Sequence, residues 1–511
     1  MAQQAQTLAG VTGEGADLVK GLGLFDAIMI VMGSMIGSAI FIVSGDISHQ
    51  VQSPGLLLVV WIVAGVMTII CALSYGELAA MMPHAGGQYV FLRDSLGPIW
   101  GFLYGWTMLL VIQTATIAAV AIAFAKFTAV LIPFFSASDW IWKIGTFGPW
   151  QLWFGSLGPY NVGLNRQNFL AIASIVLLTW LNTRGLRVGK IVQNVFTVAK
   201  TGALAGLVLL GVFFSTAVAR TANFTNFWRN ASLGTMHPYP PDQPTWLIGT
   251  ITLVGVAMVG SLFAADAWNN VTFTAAEVKN PSRNLPLALA LGTGLVILLY
   301  IMVNIGYLRI LPMAGDPNGT TTLARGIEFA ADGRVATAAA QAVIGPAGAI
   351  VMAIAIMISG FGCNNGLILS GARIYYAMAK DKLFFQSAGN VNRHHAPSAA
   401  LIVQCVWASV LCLSGTYSQL LDFLIFAVVI FYILTLSGLF LLRWKRPDIP
   451  RPYRAFGYPV LPALYIVMAV FIEFQLLRYK PQYTWPGLII VLLGLPVYAI
   501  WKVRAKALPA G

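Results

Sequence analysis

Gly33-Ser34-Met35-Ile36-Gly37-Ser38-Ala39-Ile40-Phe41 interrupts the first long apolar segment of the chain, Leu22 to Val43. Hydrocarbon offers no partner to a backbone N–H or C=O, so a spanning helix should be continuous unless its break lines a cavity or packs against protein. Two glycines and two serines at mid-depth therefore predict an unwound point. Such a point exposes N–H groups where the second half starts and C=O groups where the first half ends. A zwitterion has a carboxylate for one set and an ammonium for the other. Gly37, Ser38 and Ala39 would hold the carboxylate, with the Ser38 hydroxyl adding a bond. Carbonyls around Met32 and Met35 would receive the ammonium. The plainer alternative is a glycine-packed helix crossing, since the Gly33–Gly37 spacing is common between membrane helices.

The rest of the chain supports a membrane setting. Of its 511 residues, 58% are hydrophobic and 9% charged, which excludes a soluble globular or disordered protein. Apolar runs predict roughly twelve spans, near 22–46, 55–80, 97–132, 167–182, 190–214, 246–276, 287–311, 343–377, 398–414, 419–443, 457–477 and 486–503. A net charge of +13 invites a nucleic-acid partner, but the cations are scattered over short loops. With both termini cytoplasmic, residues such as Arg184, Lys190, Arg443 and Arg451 fall inside and outnumber those outside, as the positive-inside rule expects. Residues 1–21 read as a cytoplasmic tail without a cleavable signal, and 504–511 as a second tail. In the outer loop 133–166, Trp140, Trp142, Trp150 and Trp153 read as interfacial anchors rather than ligand contacts. Cys71, Cys363, Cys405 and Cys412 lie in apolar segments without metal spacing, so no metal or cofactor is expected.

The sixth apolar segment is interrupted as well, at Gly260-Ser261-Leu262-Phe263-Ala264-Ala265-Asp266-Ala267-Trp268-Asn269-Asn270. It stands five spans after the first. An odd number of spans inverts the second copy of a repeat, which gives units over 22–214 and 246–443, followed by two further helices over 457–503. Broken segments at matching places in two inverted repeats point to a binding site at mid-membrane. Asp266 could face a substrate ammonium, face a lysine, stay protonated, or cap the unwound backbone. Phe263 could close over a ligand or simply pack. Lys200, deep in the fifth span, reads as a strut tying the first span to the eighth, as a proton carrier, or as a plain helix-end lysine. Glu77 ends the second span at the level of Arg184 and Arg373, where a charged gate or unrelated loop contacts would both fit.

At these residues the chain resembles the amino acid–polyamine–organocation (APC) superfamily, nearest its L-type amino acid transporter branch. The blocks that carry the likeness are Gly33 to Phe41, Ser74-Tyr75-Gly76-Glu77-Leu78, Pro83-His84-Ala85-Gly86-Gly87-Gln88-Tyr89, and Leu96-Gly97-Pro98 with Phe102-Leu103-Tyr104-Gly105-Trp106. They continue through Asn182-Thr183-Arg184-Gly185, Gln193-Asn194 with Lys200, Phe263 to Asn270 with Glu277-Val278-Lys279-Asn280-Pro281, Ser370-Gly371-Ala372-Arg373, and Arg446-Pro447 with Pro452-Tyr453. The resemblance implies an all-α fold with a five-plus-five inverted repeat and an alternating-access cycle. It implies Gly37, Ser38 and Ala39 as the carboxylate turn, and Met35, Phe263 and Asp266 as ammonium-side carbonyls. Phe263 becomes the gating aromatic, with Ala264 beside it, and Asn269 a polar position of the broken sixth helix. Lys200 stands where sodium-coupled relatives hold an ion, which implies sodium independence. The family pattern has glycine where this chain has Ala39 and Ala267.

The expectation is an amino acid carrier of the plasma membrane, bacterial in type, for neutral substrates because pocket side chains read as mostly apolar. Proton symport and exchange both remain open. Loop 133–166 carries no cysteine to hold a disulfide-linked heavy subunit, so a monomer or weak homodimer is expected. The rival is a sensor of the same fold without net flux. An enzyme is disfavoured, since no nucleophile–base pair is visible.

Overall fold

The first apolar segment is two helices, not one. In the computed structural model, α1 (Leu24–Met35) stops at the glycine–serine stretch, a single helical turn covers Ala39–Phe41, and α2 (Val43–Val51) completes the crossing. The structure describes residues 18–507 except 154, 226, 229–245 and 415–423. Most of the first predicted tail, the end of the second, and the start of the tenth predicted span lie outside the described residues.

The remaining main helices follow the predicted order. They are α3 (Pro54–Met81), α4 (Gln88–Leu96), α5 (Pro98–Leu131), α6 (Arg166–Thr183) and α7 (Leu186–Phe213). Then come α8 (Trp246–Ala264), α9 (Asn270–Phe273), α10 (Pro281–Ile310), α11 (Pro346–Lys380) and α12 (Ser398–Ser414). Last are α13 (Leu424–Lys445), α14 (Val460–Tyr479) and α15 (Pro481–Ala507). Eight helices among the described residues are long and apolar enough to cross a membrane. The others are the two broken segments and the shorter α6 and α12, which correspond to spans 1, 6, 4 and 9. The protein is a polytopic helical membrane protein.

The second break also forms: α8 ends at Ala264 and α9 begins at Asn270. The two broken segments run in opposite directions. At one face, the chain entering α1 meets the chain leaving α9, where the N–H groups of Gly21 and Leu22 donate to Glu277 O and Lys279 N–H donates to Leu22 O. Further in, a Cβ on Gly260 of α8 would lie 2.4 Å from Val43 of α2. Opposed directions are what an inverted repeat requires. We call the face of residues 21 and 277 the terminal face, and the opposite one the loop face.

Loop 133–166 is ordered, as its Trp, Pro, Gly and Asn content suggests. It forms two small antiparallel pairs, β1 (Trp140–Phe147) with β4 (Tyr160–Asn165) and β2 (Trp150–Leu152) with β3 (Gly155–Leu157). Its tryptophans divide. Trp142 is 67% exposed, whereas Trp153 stacks edge-on against Trp485. Trp140 lines the large cavity described below.

Candidate substrate site

Unwinding the first segment frees carbonyls that must find donors. Three helices supply them. From α7, Lys200 donates to Gly33 O and, at 2.7 Å, to Ile36 O, while Gln193 and Thr197 reach Met29 O at 3.3 and 3.2 Å. Positions 193, 197 and 200 share one helix face. From α11, Ser359 donates to Gly37 O at 3.1 Å and Cys363 to Ser34 O at 3.1 Å. From α10, Tyr300 donates to Met35 O at 3.0 Å and Tyr307 to Ile40 O at 3.3 Å. Glycine is needed at position 33, since a Cβ there would fall 1.9 Å from Gln193 Nε2.

This accounting changes two expectations. Met35 O already accepts from Tyr300 and from Gly37 N–H at 2.8 Å, and Met32 O accepts from Ile36 N–H. Two protein donors thus already occupy Met35 O, and one occupies Met32 O. The Lys200 ammonium bonds the first segment alone; α11 reaches the break through Ser359 and Cys363 instead.

A small chamber of about 20 Å³ gathers most of the residues singled out from the sequence. Met35, Gly37, Ser38, Ala39, Phe263, Ala264 and Asp266 all line it, with Ser34, Thr116 and Cys363. The end of α8 brings the Ala264 carbonyl, whose regular helical partner is missing, while Phe263 O accepts the Asp266 N–H at 3.1 Å. A second chamber of about 20 Å³ shares Thr116, Asp266 and Ala267 with the first and adds Asn269, together with Gln88, Tyr104, Gln113, Asn270 and Tyr432. Asn269 Nδ2 donates to Gln88 Oε1 at 2.8 Å, and Tyr432 donates to Asp266. The second chamber's wall thus carries several amides and hydroxyls among its apolar lining. Gln88 and Tyr104 fall in the sequence blocks quoted above without being singled out for the site, and Tyr432 falls in none of them. A polar residue inside an otherwise apolar helix is the signal that could have found them.

Above the chambers, a cavity of about 880 Å³ runs from the loop face down to Phe263. Phe263 borders both this cavity and the first chamber. Asp46, Lys126, Asp332 and Lys480 line the cavity, so both charge signs face it.

The terminal face is closed by charge. Glu277 and Arg373, each about 1% exposed, form a bidentate pair with both contacts at 2.9 Å. Asp26 accepts from Lys190 at 3.1 Å and Asn194 at 2.8 Å, and Tyr89 and Arg93 both reach Asp381. Glu77 is fully buried and lies away from the chambers. It pairs with Arg443 and, at 3.4 Å, with Arg451, and accepts the Ala455 N–H at 2.7 Å. Arg184 and Arg373 are thus not its partners.

Ala267 sits within the second break at φ 65°, a left-handed conformation that costs an L-residue about 1 kcal/mol relative to glycine. Ala267→Gly should therefore raise stability by about that amount. A thermal-shift assay showing destabilisation would contradict the strain.

The family model described as amino acid permease matches residues 22–497. Among curated relatives, large neutral amino acids transporter small subunit 2 of Homo sapiens is 29% identical over 98% of this chain and 84% of its own length. Its Rattus norvegicus counterpart is 30% identical over 97% and 83%. The b(0,+)-type amino acid transporter 1 of Homo sapiens is 29% identical over 95% and 88%.

Proposed function

The chain belongs to the amino acid permease family and is a membrane amino acid transporter; from that premise we propose that it carries neutral amino acids across the plasma membrane by alternating access, independently of sodium. The observation that carries this reading is the meeting of two helix breaks around one chamber beneath a large cavity. The amides of Ser38 and Ala39 take the substrate carboxylate, beside Gly37, whose own N–H is given to Met35 O. The α8 end at Phe263 and Ala264, with Asp266, takes the ammonium. Phe263 closes over the site when the cavity collapses. The terminal-face ion pairs then part to release substrate on the other side. Sodium independence is supported by the Lys200 ammonium, which fills the carbonyl cluster at Gly33 and Ile36 that a metal cation would otherwise need. Proton symport and exchange are the two modes consistent with this arrangement. We further propose a carrier with both termini cytoplasmic and no disulfide-linked partner, since all four cysteines lie in helices as free thiols.

The test is uptake of radiolabelled amino acids into proteoliposomes, varying sodium, proton gradient and internal amino acid in turn. Saturable, sodium-independent uptake is expected, and binding without flux would favour the sensor. Ser38→Trp fills the first chamber and should abolish binding. Unchanged affinity in that variant would place the substrate elsewhere.

A further inference from the structure

The second chamber has a polar wall with two donors left over, the Tyr104 hydroxyl and the Asn270 amide. Asn270 is 1% exposed, and its Nδ2 has no hydrogen-bond partner among the described residues. The neighbouring amide donors are committed: Asn269 Nδ2 to Gln88 Oε1 at 2.8 Å, and Gln113 Nε2 to Leu367 O at 2.7 Å. A buried donor without an acceptor is costly, so a ligand that supplies an oxygen there gains what an apolar one forfeits. The space is small, about 20 Å³ in each chamber. Both chambers meet at Asp266, where a second carboxylate would face like charge.

We propose that the site selects amino acids with a short, uncharged, oxygen-bearing side chain, a hydroxyl or carboxamide, and that Asn270 is the specificity-determining residue. This rests on the carrier reading above and narrows it. The substrate ammonium and carboxylate stay in the first chamber, and the side-chain oxygen reaches Asn270 Nδ2 in the second. A branched or aromatic apolar side chain leaves that donor stranded. An acidic one meets Asp266.

Isosteric pairs give the test, because they match in shape and differ in the oxygen. Binding of threonine against valine, and of asparagine against leucine, is measured with the purified full chain, with the remaining natural amino acids as competitors. Threonine and asparagine should bind about tenfold or more tighter than their partners. Asn270→Leu should flatten both ratios toward one while valine binding persists. Equal binding of threonine and valine to the unaltered protein overturns the proposal, and this comparison needs no variant to fold. A preserved ratio in a folded Asn270→Leu protein overturns the role of Asn270. Failure of every amino acid to bind would instead remove the carrier reading itself.

Discussion

Lys200→Met should abolish substrate binding and exchange together, by a hundredfold or more, with Lys200→Arg no better. The ammonium has 0% exposure and serves two carbonyls of the first break, Gly33 O and Ile36 O. Methionine fills the space but donates nothing. Ser359 still reaches Ile36 O at 3.2 Å, but Gly33 O has only the lysine among the hydrogen bonds found at the break. Hydrogen bonds to a charged group contribute about 1.5–3 kcal/mol each, and a stranded buried carbonyl costs about 1–3 kcal/mol. A loss of about 3 kcal/mol already corresponds to a hundredfold in affinity. Arginine keeps the charge, but its planar fork does not fit where a compact ammonium bridges two carbonyls. The same variant separates two roles. A strut lost from the break removes exchange and proton-driven uptake alike. A dedicated proton carrier would leave exchange intact and remove only accumulation driven by a proton gradient. Full binding and exchange in Lys200→Met would refute the strut.

The second large effect belongs to the Glu277–Arg373 pair. Arg373→Met should destabilise the protein by about 3–5 kcal/mol, because a bidentate carboxylate is left buried without its partner. The Glu277→Met, Arg373→Met double variant should recover much of that loss, since a matched apolar pair avoids the stranded charge. The exposed pair between Arg166 and Asp139, 2.9 Å apart with side chains 38% and 45% exposed, is a control that should cost less than about 1 kcal/mol to break. The buried pair also anchors the end of the second broken segment to α11, so uptake by the single variant should fall with stability. Denaturation and uptake on the same preparations check both statements, and a single variant within about 1 kcal/mol of the unaltered protein would contradict them.

Both broken segments are legible in the residues themselves. Gly33 to Ala39 and Phe263 to Asn270 put small and polar residues where a membrane tolerates only regular helix, and both unwind within those limits. Partner choice is not legible in the same way. Arg373 shares the level of Glu77 in sequence terms yet pairs with Glu277, and Glu77 takes Arg443 and Arg451 from the far end of the chain. Nor does the sequence show that Tyr300 occupies the Met35 carbonyl expected to be open.

From the sequence alone came the spans, the two interruptions and the backbone groups they liberate, because hydrocarbon forces every segment to satisfy its own N–H and C=O groups. The tertiary structure decided which side chains meet those groups and what lines the chambers. In water the buried face of a helix announces itself by contrast with a polar one. In a bilayer the lipid-facing and the packed faces are both apolar, so the rotation of each helix, and with it the turn of Gln88, Tyr104, Asn270 and Tyr432 toward the site, is set only by packing.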